Sequence, residues 1–465
     1  VLFFSEMWER FSYYGMRALL VLYLVNALEF PRARALEVYA IYTGLIYLTP
    51  LLGGYIADRW LGARRAVLVG GLVMAVGHFA MAVPALLYLA MGLLIAGNGF
   101  FKPNISTLVG SLYGAGDTRR DGGFTVFYIG INLGAFLAPL VCGTLGEKVG
   151  WHYGFAAAGV GMLFGLAVFH AGQHKVGGVR LTRRDWAVAL LIAAIVCAVV
   201  YAIVSLWPAV ATAWAALALS ARLGIGLGMI VLAAALSRLW RTRCSGERAR
   251  LTRVEVDRLI VVFILAVFVV FFWMGFEQAG GTMNLFADQR TDRWIAGWEM
   301  PASYFQAANP LFILLLGPLF AAAWLRLDRS RFAPSGVVKQ GIGMIVLGLG
   351  FVVLASADAH AGAVGRVSPL WLLAVYLLNT MGELCLSPIG LSLVTKLAPI
   401  QLASLMMGVW FTAMGLANYF AGTLEALLAG TDIPLYWFLV GSSIGAGLVL
   451  LLISPLLNRW MHGIK

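Results

Sequence analysis

Ser5-Glu6-Met7-Trp8-Glu9-Arg10-Phe11-Ser12-Tyr13-Tyr14-Gly15-Met16-Arg17 places four ionisable groups inside an apolar run that extends from about Val1 to Leu28. A run of that length can span a bilayer as a helix, which needs about 20 apolar residues at about 1.5 Å each. At about 100° per residue, Glu6, Glu9, Arg10, Tyr13 and Arg17 fall within an arc of about 100°, while Trp8, Leu19 and Leu22 face elsewhere. Each charge costs about 3 kcal/mol to insert at mid-helix. Such a stripe is stable in a membrane only if it faces a polar interior shared with other helices. Apolar sequence on both sides argues against a headgroup or soluble-loop placement.

The rest of the chain has the matching composition. Of 465 residues, 61% are hydrophobic and 12% charged, and the mean hydropathy is +0.88. That is far outside soluble composition and marks an all-α polytopic membrane protein. The 54 glycines and 15 prolines do not signal disorder, because small residues let membrane helices approach closely. Apolar runs give fourteen spans, near 2–28, 38–57, 66–83, 85–112, 120–146, 152–171, 186–206, 213–237, 258–285, 301–325, 336–356, 369–395, 402–429 and 434–458.

The net charge of +12 is explained by where the charges lie. If the amino terminus is inside, the inner loops and tail hold 23 Lys and Arg, the outer loops six, and the spans four. The positive-inside rule then puts both termini in the cytoplasm, and no nucleic-acid partner is needed to account for the basic excess. The basic segment from Arg238 to Arg258 is a seam. Six spans precede residue 171 and six follow residue 256. The expected organisation is therefore a six-helix bundle over 1–171, an inserted transmembrane hairpin with basic linkers over 172–255, and a second six-helix bundle over 256–465. The inserted spans carry only Arg222 and read as lipid-facing additions outside the working core. The chain begins at Val1 within the first span, shows no cleavable signal peptide, and is expected to be preceded by further residues.

Cys142, Cys197, Cys244 and Cys385 are far apart and form neither a disulfide framework nor a zinc pattern. Of the six histidines His170 and His174 stand four residues apart, but no third ligand accompanies them in the sequence, so no metal site is expected. Numbered without the inserted pair, the intramembrane charges follow the repeat. Glu6, Glu9, Arg10 and Arg17 lie on the first helix and Lys102 on the fourth, with Glu277 on the seventh and Glu383 on the tenth. Asn132, Asn309, Tyr47 and Trp410 add polar and aromatic groups from the second and fifth helices of each half. A transporter built from repeats holds its substrate at the midplane between them. Cations dominate the first half, whereas the second offers only carboxylates. The cavity between them is expected to be bipolar and to fit a ligand with a carboxylate at one end and an ammonium at the other.

These residues carry a family resemblance. Glu6-x-x-Glu9-Arg10-Phe11-x-Tyr13-Tyr14-Gly15 resembles the helix 1 signature of the proton-dependent oligopeptide transporters, a branch of the major facilitator superfamily. Gly99-Phe100-Phe101-Lys102-Pro103-Asn104 is similar to that family's helix 4 lysine motif, and Phe127-Tyr128-Ile129-Gly130-Ile131-Asn132-Leu133-Gly134 to its helix 5 motif. The loop from Gly54 to Arg65 is similar to the superfamily's helix 2 to 3 loop. Phe276-Glu277-Gln278, Asn309-Pro310-Leu311-Phe312, Gly382-Glu383-Leu384-Cys385-Leu386-Ser387-Pro388 and Trp410 match the second half in order. The inserted hairpin is also seen in bacterial members.

The resemblance implies a proton-coupled symporter that imports di- and tripeptides by alternating access, with the proton gradient as energy source and no cofactor. It implies that Glu6, Glu9, Arg10 and Lys102 couple the proton, and that Arg17 and Glu277 form an outer-gate ion pair. Arg10, Tyr13 and Lys102 are then expected to hold the peptide carboxylate. Glu383 with Asn132 and Asn309 is expected to receive the amino terminus and backbone, and Tyr47 and Trp410 to line side-chain pockets. Ala40 stands where animal members carry a helix 2 histidine, so proton binding falls to carboxylates. A monomer in the bacterial cytoplasmic membrane is the expected working unit.

Two other readings compete with this one. Gly114-Ala115-Gly116-Asp117 spells the GxGD of membrane aspartyl proteases, but it lies in a basic loop without a second aspartate inside a helix. Within transporters, nitrate or another small solute, or a peptide-like drug, is the alternative. Glu277 and Glu383 favour a substrate with an ammonium end.

Overall fold

The structure, a computed structural model, describes residues 1–114, 117, 119–176, 182–216, 252–329, 333–399 and 402–464. The first half is built from α1 (Leu2–Asn26), α2 (Arg32–Ile56), α3 (Ala63–Met81), α4 (Leu87–Ser111), α5 (Arg120–Thr144) and α6 (Trp151–Gly172). After α7 (Arg183–Ala216), the second half comprises α8 (Arg253–Phe276), the short α9 (Thr282–Gln289), α10 (Ala308–Asp328), α11 (Gly336–Val364), α12 (Pro369–Leu397), α13 (Ala403–Leu428) and α14 (Leu435–Trp460). Eleven of the described helices are long and apolar enough to cross a membrane. Helices α1 and α13, with 25 and 26 residues, have the same reach. Helix α1 differs from the eleven through the charges that Glu6, Glu9, Arg10 and Arg17 place along it.

Glycine sets how closely the helices cross, and it does so twice in the same way. Helices α3 and α4 meet at Gly70 and Gly97, where a Cβ added to either would stand 2.6 and 2.7 Å from the other's carbonyl oxygen. Helices α11 and α12 meet identically at Gly343 and Gly382, at 2.6 and 2.7 Å. The crossing that positions Lys102 is thus repeated by the one that positions Glu383. In the first half α1 lies against α5 and α6. Across the molecule α2 packs on α13, and α5 on α10.

Two expectations are corrected. The span 258–285 is not one helix: α8 ends at Phe276 and Glu277–Gly280 forms a 3-10 turn before α9. Gly280 and Gly281 lower the helical preference there, and a Cβ on Gly280 would stand 1.9 Å from the Tyr39 hydroxyl. The break expected after 206 is absent, since α7 runs through Pro208 to Ala216. Continued apolar sequence favours the structure that satisfies its own backbone, even at the loss of the proline's hydrogen bond. The all-α fold holds, with one small antiparallel hairpin, β1 (Trp294–Ile295) and β2 (Trp298–Glu299), in the connection between α9 and α10. Ala296 and Gly297, with φ of 50° and 81°, make the tight turn whose twist suits a two-residue hairpin.

The second inserted span from residue 217, Arg222, Cys244 and most of the basic segment lie outside the described residues. The first inserted helix packs against α3 and α4. Asp185 at its start bonds Arg65 at 2.6 Å, and the Trp186 ring nitrogen donates to His170 at 3.1 Å. Much of its remaining surface is apolar and exposed, as at Leu190, Leu191 and Ile195. Of the cysteines, Cys142, Cys197 and Cys385 are free. Asp117 of the GxGD string pairs with Arg119.

Candidate functional site

The charged stripe on α1 divides into two clusters. Arg10 is shared by two carboxylates of its own helix: its Nε lies 3.2 Å from Glu6 and also bonds Glu9, while its Nη2 donates to Glu9 at 2.7 Å. All three are buried. Two turns on, Arg17 forms an ion pair with Glu277 of the other half and donates from Nε to the Tyr39 hydroxyl at 2.8 Å. The 3-10 turn after α8 is what brings Glu277 to Arg17.

A cavity of about 130 Å³ lies between the halves. Its wall includes Arg17, Tyr47 and Asn132 from the first half and Glu277, Asn309 and Glu383 from the second. Asn132 donates to the Tyr128 carbonyl one turn back at 2.9 Å. Asn309 donates to Glu383 at 2.9 Å and to Thr380 at 3.0 Å. Among the described residues Glu383 has this neutral donor and no cationic partner. The Lys102 ammonium stands 5.0 Å from the centre of the Tyr47 ring, behind that face of the cavity. Arg10 lies 5.2 Å from the ring of the buried Tyr13.

The structure therefore brings Arg17, Tyr47, Asn132, Glu277, Asn309 and Glu383 to one cavity. It sets Glu6, Glu9, Arg10, Tyr13 and Lys102 outside that wall. Trp410 is buried, and its ring fills the space that a Cβ on Gly390 would need at 2.5 Å, so it packs on α12 and does not line the cavity.

Polar contacts between the halves gather at the end of the molecule where α1 ends and α2 begins. Arg32 binds Glu425 through two bonds of 2.7 and 3.0 Å, and Asn26 donates to Asp288 at 3.0 Å. The Glu147 carboxylate accepts from the backbone N–H groups of Ala302 and Ser303 at 2.7 and 3.0 Å, and Lys148 donates to Glu299 at 3.0 Å. With Arg17 and Glu277 these contacts close that end over the cavity.

The family model described as POT family matches residues 64–436. The chain belongs to the POT family. It is 40% identical over 483 residues to the uncharacterized transporter YclF of Bacillus subtilis, covering 100% of this chain and 94% of that one. It is 39% identical over 451 residues to the peptide transporter YePEPT of Yersinia enterocolitica, covering 90% and 86%. Identity to a di-/tripeptide transporter of Lactococcus lactis is 34% over 491 residues, covering 100% and 96%. Among solved structures, the peptide transporter POT in complex with sulfate superposes with a TM-score of 0.79 at 38% identity, covering 99% of this chain and 95% of that one. A POT family transporter in complex with a thioalcohol-conjugated peptide superposes at 0.79 with 32% identity, covering 98% and 96%. As a POT family member the chain is a transporter with the major facilitator fold, not an enzyme.

Several cavity residues of this POT family chain were missed from sequence. Tyr128 lies four residues before Asn132, Trp273 four before Glu277, and Asn379 four before Glu383. Helical neighbours at that spacing share a face, so each was reachable by extending one turn from a residue already chosen. Gln306 had no such signal, because it sits in a 3-10 turn ahead of α10.

Proposed function

We propose that this POT family member is a proton-coupled symporter that imports di- and tripeptides by alternating access, with the peptide held between the halves. The observation that carries the reading is Glu383, a buried carboxylate on the cavity wall with a neutral donor and, among the described residues, no cation within ion-pair distance. A buried carboxylate without a cation is costly. A substrate ammonium supplies the missing charge. On the opposite side Arg17 is the cation on the wall itself, and Arg10 and Lys102, with Tyr13 beside Arg10, stand outside the wall at the closed cavity and meet the peptide carboxylate as the halves open. The peptide substrates named for the Yersinia and Lactococcus relatives agree with this polarity.

Proton coupling is assigned to Glu6, Glu9, Arg10 and Lys102. A carboxylate arriving near Lys102 competes with Glu6 and Glu9 for its field, which links substrate binding to protonation, and such linkage is reciprocal. The protein works in this reading as a monomer without cofactor in the bacterial cytoplasmic membrane, both termini inside. The halves over 1–171 and 256–465 rock about the site. The first inserted helix rides on the first half through Arg65 and His170. The closed end over Arg17 and Glu277 is then the outer one.

The test is uptake of a labelled dipeptide into proteoliposomes holding the purified chain, with and without an inward proton gradient. Accumulation above equilibrium only with the gradient is expected. Nitrate uptake in place of dipeptide uptake, or accumulation indifferent to the gradient, overturns the proposal.

A further inference from the structure

We propose that Asn379 reads the peptide bond of the substrate; this rests on the peptide-transport reading and adds a backbone subsite to it. Four carboxamides line the cavity, and three have their donors engaged by the protein. Asn132 donates to Tyr128, Asn309 to Thr380 and Glu383, and Gln306 to the Ala18 carbonyl at 3.5 Å. Asn379 makes no hydrogen bond to the described residues, and its Oδ1 is buried without a partner. The residue is 2% exposed and lies on the cavity wall.

Among the buried asparagines Asn98 also lacks a partner but lies off the cavity wall, whereas Asn104, Asn418 and, on the wall, Asn132 donate back to the carbonyl four residues earlier on their own helices. Asn379 does not. Buried polar groups without a partner are rare and call for an explanation. Its room is provided by Gly350 on α11, where a Cβ would come within 2.4 Å of Oδ1.

Position supplies the partner. Asn379 stands one turn before Glu383 on the same face of α12, with Cβ atoms about 5–6 Å apart by helix geometry. In any peptide the first carbonyl oxygen is three bonds from the amino nitrogen. A substrate whose ammonium meets Glu383 therefore presents its first amide within reach of Asn379. With Oδ1 packed against Gly350, Nδ2 is the group left to the cavity, and it can donate to the carbonyl of that bond.

The experiment compares two ligands on the full chain in detergent or proteoliposomes: dialanine, and an isostere with the same termini in which CO–NH is replaced by CH2–CH2. Wild type is expected to bind dialanine about tenfold more tightly than the isostere. Asn379→Leu, similar in size and without polar atoms, should lose about tenfold for dialanine and nothing for the isostere, so the preference collapses. Because no protein hydrogen bond is removed, its ligand-free melting temperature should equal or exceed that of wild type. Equal losses for both ligands, or a preference that survives in Asn379→Leu, overturn the assignment while leaving peptide transport intact. Wild type that binds neither ligand overturns the transport reading and this assignment together.

Discussion

Arg10 and Arg17 lie two turns apart on the same face of α1, yet their partners differ in kind. Arg10 is held by Glu6 and Glu9 of its own helix. Arg17 is held by Glu277 of the other half. A rigid-body movement between the halves leaves every contact of the first cluster unchanged and must break the second. The two clusters can therefore answer different signals: the first, protonation and ligand charge; the second, the position of the halves. One helix carries both, so a cluster confined to one half and a cluster that depends on the position of the halves are rigidly joined through two turns of backbone.

The sharpest way to separate them is to neutralise one carboxylate of the first cluster. Glu9→Gln leaves Arg10 with Glu6 and keeps Arg17 and Glu277 paired. Gradient-driven dipeptide accumulation should be abolished, while counterflow exchange, which needs only movement of the halves, should stay measurable. Undiminished accumulation in this variant would show that Glu9 has no part in coupling.

The complementary change, Glu277→Ala, leaves a buried Arg17 with only the Tyr39 hydroxyl. Removing one partner of a buried pair costs about 3–5 kcal/mol, and about 1.4 kcal/mol is tenfold in an equilibrium. The closed outer end should thus lose more than about a hundredfold in relative population. Spin labels at Glu29 and Asp432, exposed on the two sides of that end, should report a longer distance. An unchanged distribution would mean that Arg32, Asn26 and Glu147 hold the end shut without Arg17.

What sequence could show of this contrast follows from range. The face shared by Glu6, Glu9, Arg10 and Arg17 is a property of one helix, and 3.6-residue periodicity reveals it. The assignment of Glu277 and Glu383 to matching helices followed from hydropathy and the order of the spans. The matching glycine crossings at Gly70 with Gly97 and Gly343 with Gly382 were hidden, because a close contact between helices leaves no periodic trace. The turn at Glu277 was hidden by the apolar residues that continue past it. Asn379 and Gln306 carry no charge, and an amide in an apolar run stands out only when its lack of a partner is visible. The contacts at the closed end, such as Glu147 with the backbone of Ala302, join residues more than a hundred positions apart.

The weakest link across the halves gives the finest test of the comparison. Glu299 on β2 receives a hydrogen bond from Lys148 of the first half and lies 3.1 Å from Arg293. The Lys148 bond, with the nearby guanidiniums, holds its carboxyl below the usual 4.5. Because the paired carboxylate binds protons less well than the unpaired one, closure gains from this pair above pH 4.5 and loses that gain as the pH falls through the lowered value. Both side chains are 30% exposed, and pairs of that kind contribute less than about 1 kcal/mol. Acidifying the outer side below pH 4.5 should therefore broaden the distance distribution between labels at Glu29 and Asp432 toward the open state without displacing its main peak, which Arg17 and Glu277 hold. Glu299→Gln should shrink this acid-induced broadening while the neutral-pH peak stays in place. Broadening of the same size in Glu299→Gln would assign it to another carboxylate of the outer end, and a displaced main peak at neutral pH would show that Lys148 and Glu299 bear a share of closure comparable to that of Arg17 and Glu277.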